Sequence, residues 1–85
     1  MTSMIIWKGH EHLDHLGLSV YKVAEKVEEL GGAAKNTVYI FFRNGKKGAL
    51  KRVDLDVLDA VLTGINSLTD DKHKSQPNDL LEWVQ

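Results

Sequence analysis

The sequence predicts an all-α fold: a compact domain of about five helices, with room for a small β-sheet where the two ends meet. Its 85 residues suffice for one hydrophobic core but not for two, so we expect a single domain. Apolar residues recur with helical spacing in several segments, separated by glycine, proline or asparagine-glycine. An apolar fraction of 42% and a charged fraction of 27% are ordinary for a globular chain and disfavour disorder or a fibrous repeat.

The first two elements are short. Residues Met4–Trp7 are β-branched or aromatic, which favours an extended segment that needs a partner strand. A helix is expected from about Lys8 to Leu16, with Leu13 and Leu16 facing inward. Gly17 should end it, because glycine readily adopts the left-handed conformation at a helix C-terminus.

The second helix follows Ser19, whose side chain can cap the first free amides. Gly31-Gly32 should end this helix in a tight turn. Its predicted buried face comprises Val20, Val23, Ala24, Val27 and Leu30.

The third helix is expected from residue 33 or 34 to Arg43, followed by a turn at Asn44-Gly45. A strand over Val38–Phe42 is the alternative, because Val, Tyr, Ile and Phe all favour β-structure. The predicted inward positions are Ala34, Val38, Phe41 and Phe42.

The rest of the chain begins with a basic loop over residues 46–52. Asp54 can cap a fourth helix from about Leu55 to Ser67. Residues 69–76 are polar and predict an exposed loop, after which Pro77 suits the start of a short helix. The predicted buried stripe of the fourth helix is Leu55, Leu58, Val61, Leu62 and Ile65, and that of the last helix is Leu80, Leu81 and Trp83. A small sheet could join Met4–Trp7 to the Trp83 end.

Several classes of protein are disfavoured by what the sequence lacks. Without cysteine there is no disulfide or thiolate metal site, which is compatible with a reducing cytoplasm. The longest apolar runs are far shorter than the roughly 18 residues of a membrane span. No nucleophile with a base, no phosphate-binding Gly-Lys-Ser/Thr loop and no paired carboxylates in an apolar setting are found. We therefore expect a cytoplasmic protein that is not an enzyme and needs no cofactor or metal.

The charges are strongly segregated along the chain. Residues 34–52 hold six basic and no acidic residues, for a local charge of +6, whereas the rest carries −7. Such a run is often only a solvated face. It can also bind a polyanion, because each phosphate that a lysine or arginine neutralises releases counterions.

A family resemblance is carried by five strings distributed over residues 4–85. They are GLSVYKVAEK at 17–26, KNTVY at 35–39, RNG at 43–45, KRVDLDVL at 51–58 and PNDLLEW at 77–83. The most specific are the Ser-x-Tyr-Lys-x-Ala-Glu-Lys helix and the closing Asp-Leu-Leu-Glu-aromatic. In this order and spacing they resemble the lambda-repressor-like, Cro-type helix-turn-helix regulators of bacteria and phages.

The resemblance implies a sequence-specific, double-stranded DNA-binding transcriptional regulator, active as a homodimer at the nucleoid. The helix-turn-helix would span about residues 19–43, with residues 34–43 as the recognition helix in the major groove. The residues implied to read bases or nearby backbone are Lys35, Asn36, Thr37, Tyr39 and Ile40. Those implied to bind phosphates are Tyr21, Lys22, Arg43, Lys46, Lys47, Lys51 and Arg52.

The sequence departs from the family pattern in three places. Glu28–Gly31 looks like an insertion of four residues, close to one helical turn, so an extended helix could keep its buried face. Val20 stands where many members carry a phosphate-contacting glutamine. Ile40 stands where a polar base-reading side chain is common, which suggests a contact with a thymine methyl group.

Three other interpretations remain open. A protein-interaction or antitoxin-like adaptor of the same fold could use its acidic face, or Trp7 and Trp83, to hold a partner protein. His10, His12 and His15 could bind a metal, although only the isolated His73 lies downstream as a further histidine. Tyr39 and the basic loop could bind RNA or a single strand.

Overall fold

The computed structural model of the chain describes residues 4–47, 54–69 and 74–84. Five helices and a two-stranded antiparallel sheet lie in these segments, which confirms the predicted helical fold class. In chain order the elements are β1 (Met4–Trp7), α1 (Gly9–Leu16), α2 (Val20–Glu29), α3 (Lys35–Lys46), α4 (Leu55–Leu68), α5 (Pro77–Leu80) and β2 (Leu81–Val84). Within these described segments, no helix is both long enough and apolar enough to cross a membrane.

Local sequence signals set most of the helix ends. The Ser19 hydroxyl accepts a hydrogen bond from the Lys22 amide at 3.1 Å, and the Asp54 carboxylate accepts from the Asp56 amide at 2.9 Å. Gly17 and Gly31 have φ angles of 73° and 77°, so each ends its helix in the left-handed region. The caps predicted at Ser19 and Asp54 and the helix ends predicted at Gly17 and Gly31-Gly32 are thereby confirmed.

The apolar stripes of the helices meet in one core. Its largest fully buried side chains are Phe42, Leu13, Ile65, Leu80, Val23, Val27, Val38 and Val61. Ala24 is also completely buried, and α2 packs against both α3 and α4. At the α2–α4 contact a Cβ on Gly64 would approach a Val27 methyl group to 2.6 Å, so only glycine allows this spacing.

Three of the predicted inward positions are wrong. Leu30 is 49% exposed and Leu55 is 73% exposed. Leu30 follows the last residue of α2, and Leu55 is the first residue of α4, so both extend beyond the helix packing. Ala34 is exposed because it precedes α3 with an extended backbone and does not follow the helical periodicity.

The ends of the described chain pair in the sheet. β1 and β2 run antiparallel, with Ile5 opposite Trp83 and Trp7 opposite Leu81. This confirms the sheet that the sequence suggested, but it corrects the last helix, which ends at Leu80. Leu81 and Trp83 belong to β2 because the strand partner at Met4–Trp7 offers backbone hydrogen bonds that a four-residue helix could not match.

The third helix also continues further than predicted. Val38–Phe42 is helical and not a strand, and α3 passes through Asn44-Gly45 to end at Lys46. Gly45 is buried, and a Cβ there would overlap the Trp7 indole. Gly45 is thus a packing position in a helix and not a turn residue.

Of the predicted exposed loop over residues 69–76, residues 70–73 lie outside the described residues, and the prediction is wrong at Ser75. Ser75 is buried. The Asn66 side chain forms two hydrogen bonds with the Ser75 backbone: it accepts from the Ser75 amide at 2.6 Å and donates to the Ser75 carbonyl at 3.2 Å. The Ser75 hydroxyl is also hydrogen-bonded to His12 Nε2 at 2.7 Å. The segment before α5 is therefore anchored to α1 and α4.

Candidate nucleic-acid interface

The candidate interface is built on the pair α2 and α3. The helices pack against each other and are joined by the five residues 30–34. The turn is stabilised by two backbone hydrogen bonds of 3.0 Å each, from the Gly31 N–H to the Glu28 carbonyl and from the Gly32 N–H to the Val27 carbonyl. Behind the turn, a Cβ on Gly32 would approach the Ala60 side chain to 2.9 Å, so α4 lies close behind it. The core therefore fixes how α3 is presented.

One side of α3 is turned to the core and the other to solvent. Val38, Phe41, Phe42 and Gly45 are buried. At 100° per residue, the opposite side is centred on the positions of Asn36, Ile40, Arg43 and Lys47, all of which are exposed. We call these four residues, together with the adjacent and exposed Thr37, the outward face of α3.

The outward face of α3 is cationic and offers several hydrogen-bonding groups. Arg43 and Lys47 supply positive charge, and Asn36 and Thr37 supply an amide and a hydroxyl. No acidic residue occurs between Lys35 and Lys47. A helix with this surface can enter the major groove, because its charges attract phosphates while its polar side chains reach base edges.

Two of the predicted base-reading residues lie on a flank of α3 and not on the outward face. Tyr39 is half-buried and packs against the core. Lys35 is also half-buried, and its Nζ lies over the Tyr21 ring, 5.9 Å from the ring centroid. The structure therefore groups Lys35 with Tyr21 of α2 and separates both from Ile40.

The predicted phosphate-binding residues are divided among three places. Arg43 and Lys47 lie on the outward face of α3, and Tyr21 and Lys22 are exposed in the first turn of α2. Lys46 is exposed but lies on the flank of α3, near enough to His10 to affect its pKa. Lys51 and Arg52, like the other residues of 48–53, lie outside the described residues.

Glu28 is a site residue that the sequence interpretation missed. Ala34, which precedes α3, has no side chain that can cap the helix, and Glu28 supplies the cap from α2. Its Oε2 accepts from the Lys35 amide at 3.1 Å. The negative carboxylate interacts favourably with the positive end of the α3 dipole, and it also places a negative charge beside the candidate interface. The missing cap at Ala34 was the only sequence signal for this contact.

Two of the three histidines of α1, His10 and His12, form structural hydrogen bonds. His10 Nδ1 accepts from the Trp7 indole N–H at 2.9 Å, which requires that this nitrogen carry no proton. Burial and the nearby Lys46 ammonium lower the pKa of His10, and Asp14 opposes this effect. In the described part of the chain, no group of three His, Cys, Asp or Glu side chains could hold a metal ion, and His73 lies outside that part.

A shallow cleft of about 240 Å³ lies between α1 and α5, away from α3. It is lined by Lys8, Glu11, His12, His15 and Asp79. Lys8 forms an ion pair with Glu82 at 3.0 Å, and Asp79 accepts from the Gln76 amide at 2.7 Å. Lys8 and Asp79 therefore already have structural partners, as does His12 through Ser75.

Comparisons with known proteins identify no relative. Searches with protein-family models, of curated proteins and of solved structures each gave no match for this chain. The functional interpretation consequently depends on the arrangement of the chain's own residues.

Proposed function

We propose that the chain binds double-stranded DNA in a sequence-dependent manner and acts as a small transcriptional regulator. The observation that carries this proposal is the outward face of α3, which exposes Asn36, Thr37, Ile40, Arg43 and Lys47 on a helix that packs against α2 and α4. A helix with polar and cationic side chains and no carboxylate of its own fits the major groove.

The residues divide into two roles. Asn36, Thr37 and Ile40 would contact base edges from the first two turns of α3. Arg43, Lys47, Lys22 and Tyr21 would contact the phosphates on either side of the groove, with Lys35 held beside Tyr21. Lys46 would add charge at the C-terminal end of α3.

Binding as a homodimer is part of the proposal. Helix-turn-helix proteins commonly place two recognition helices in successive major grooves, so that two half-sites lie about one helical turn apart. Two copies of this chain related by a two-fold axis would read a palindromic site.

Selection of duplexes from a random pool, followed by salt-titrated binding, tests the function. We expect a defined, palindromic sequence to be enriched and its affinity to fall steeply as salt increases, because several phosphates are neutralised. The absence of any duplex binding at low salt would refute the proposal.

The second candidate is a protein-interaction module of the same fold. It is favoured by apolar side chains exposed away from α3, above all Ile5 on β1 and Leu55 on α4. Such a module would hold a partner through these side chains and would show no salt-dependent duplex binding. The same titration therefore separates the two functions.

A further inference from the structure

Ile40 occupies an unusual place for an apolar side chain. It is 43% exposed in the middle of the outward face of α3 and takes no part in the hydrophobic core. One helical turn before it lies Asn36, and almost one turn after it lies Arg43. Its β-branched side chain therefore lies outside the buried core, among hydrogen-bonding and charged groups.

The surroundings of Ile40 argue against a protein partner for this side chain. Protein docking surfaces bury contiguous apolar area at their centre, and charged residues are depleted there. On α3 every other large apolar side chain is buried or half-buried, and the neighbours of Ile40 along the outward face are the polar Asn36 and the charged Arg43. A single aliphatic side chain within a cationic face fits a polyanion that itself carries isolated apolar groups.

The major groove of DNA contains one apolar group of this kind, the C5-methyl group of thymine. Every other base edge in that groove presents a hydrogen-bond donor or acceptor. If Ile40 covered such an edge, it would remove water from the polar group without replacing the lost hydrogen bond, which is unfavourable. Against a thymine methyl group, by contrast, both partners bury apolar surface.

We infer that Ile40 is a specificity-determining residue that reads the C5-methyl group of a thymine in the DNA that the chain binds. This inference rests on the proposed function and extends it, because it identifies the chemical group that the centre of the outward face recognises. Ile40 accordingly selects thymine by its methyl group and not by its hydrogen-bonding edge.

Replacement of thymine by deoxyuridine tests this directly, because it removes the methyl group and keeps the base pair. In the duplex selected from the random pool, each thymine is replaced singly by deoxyuridine and the affinity is measured at fixed salt. At one thymine position in each half-site we expect an affinity loss of about fourfold, which corresponds to the free energy gained by burying one methyl group. At the remaining positions we expect little change.

Two variants show whether Ile40 is responsible. Ile40→Gln should bind the thymine and deoxyuridine duplexes equally, since glutamine gains nothing from the methyl group. Leu55→Gln makes a similar change at another exposed helical position, outside α3, and should keep the fourfold difference. Circular dichroism and a thermal melt show that both variants are folded.

The outcomes separate this inference from the proposed function. If no duplex is selected or bound at low salt, both are overturned. If a duplex is bound but no thymine is sensitive to deoxyuridine, the DNA-binding function stands and the methyl-reading inference fails. If Ile40→Gln retains the fourfold difference, the methyl group is read by another residue and the assignment to Ile40 is wrong.

Discussion

The indole ring of Trp7 lies against the backbone of Gly45, where any side chain on α3 would overlap it. The same ring covers Gly9 at the start of α1, and it makes edge-to-face contacts with Phe41 and Phe42 at centroid distances of 5.4 and 5.3 Å. β1 is thereby joined to the C-terminal half of α3. The neighbouring β1 and α1 and the distant α3 depend on two glycines for this contact.

Gly45→Ala should destabilise the fold, although alanine is the better helix former. Helix propensity alone would stabilise the variant by about 1 kcal/mol. Overlap with Trp7 should outweigh that gain and leave a net loss of about 1–2 kcal/mol, measured by urea unfolding. In a Trp7→Leu background the same substitution should cost much less, because the overlapping ring is gone. A stabilised Gly45→Ala single variant would contradict the packing described here.

Glu28→Ala should reduce stability by about 1 kcal/mol, since the Lys35 amide at the start of α3 would lose its acceptor. Glu28→Gln keeps an acceptor oxygen and should lose less. Glu25→Ala is the matched control, because Glu25 is an exposed glutamate of the same helix and caps nothing. Equal melting temperatures for the Glu28→Ala and Glu25→Ala variants would show that the cap contributes nothing.

Asn66→Ala should destabilise the protein by about 1–3 kcal/mol, because the buried backbone of Ser75 loses a donor and an acceptor together. Hydrogen exchange should then show faster exchange of the Ser75 amide. Asn78→Ala provides a control at an exposed asparagine of α5 and should have little effect. If the Ser75 amide exchanged as slowly in the Asn66→Ala variant as in the wild type, the hydrogen bonds from Asn66 would not be what protects it.

Stability should decrease as the pH falls below the ordinary histidine pKa of 6.5, because folding lowers the pKa of His10. As the pH falls, His10 is protonated in the unfolded chain before it is protonated in the folded protein. The folding equilibrium therefore shifts towards the unfolded chain as the pH falls from 6.5 through the lowered pKa of the folded state. Protonation of Nδ1 would also break the bond from the Trp7 indole. His10→Asn keeps an acceptor that does not titrate, so its melting temperature should fall less than that of the wild type between pH 7.5 and 5. Parallel curves for the two proteins would contradict the prediction.

Lys47→Ala and Asn36→Ala should affect DNA binding in different ways. Lys47→Ala should weaken binding to all duplexes alike and reduce the salt slope by about one, because one phosphate contact is lost. Asn36→Ala should relax the choice of base at one position of the selected site. Lys74→Ala, at an exposed lysine outside α3, is the control for non-specific loss of charge. Equal losses on every duplex for Asn36→Ala would exclude base reading by Asn36.

Much of the candidate interface could be predicted before the fold was known. The exposure of Asn36, Thr37, Ile40 and Arg43 follows from the helical period once Val38 and Phe42 are assigned to the core. The separation of Tyr39 and Lys35 from that face could not be predicted, because it depends on how α2 packs beside α3. The cap from Glu28 was missed for the same reason, since it joins two helices across a turn.

The sequence by itself determined where the helices lie and most of their ends, because helical periodicity and caps such as Ser19 and Asp54 act within a few residues. Only the tertiary structure decided the role of Gly45. The sequence suggested a turn there, but Gly45 lies within α3 and leaves space for the Trp7 ring to pack against the helix. The tertiary structure also decided that Ser75 is buried and that Leu55 is exposed. These outcomes depend on contacts between residues far apart in the chain, and local propensities carry no information about such contacts.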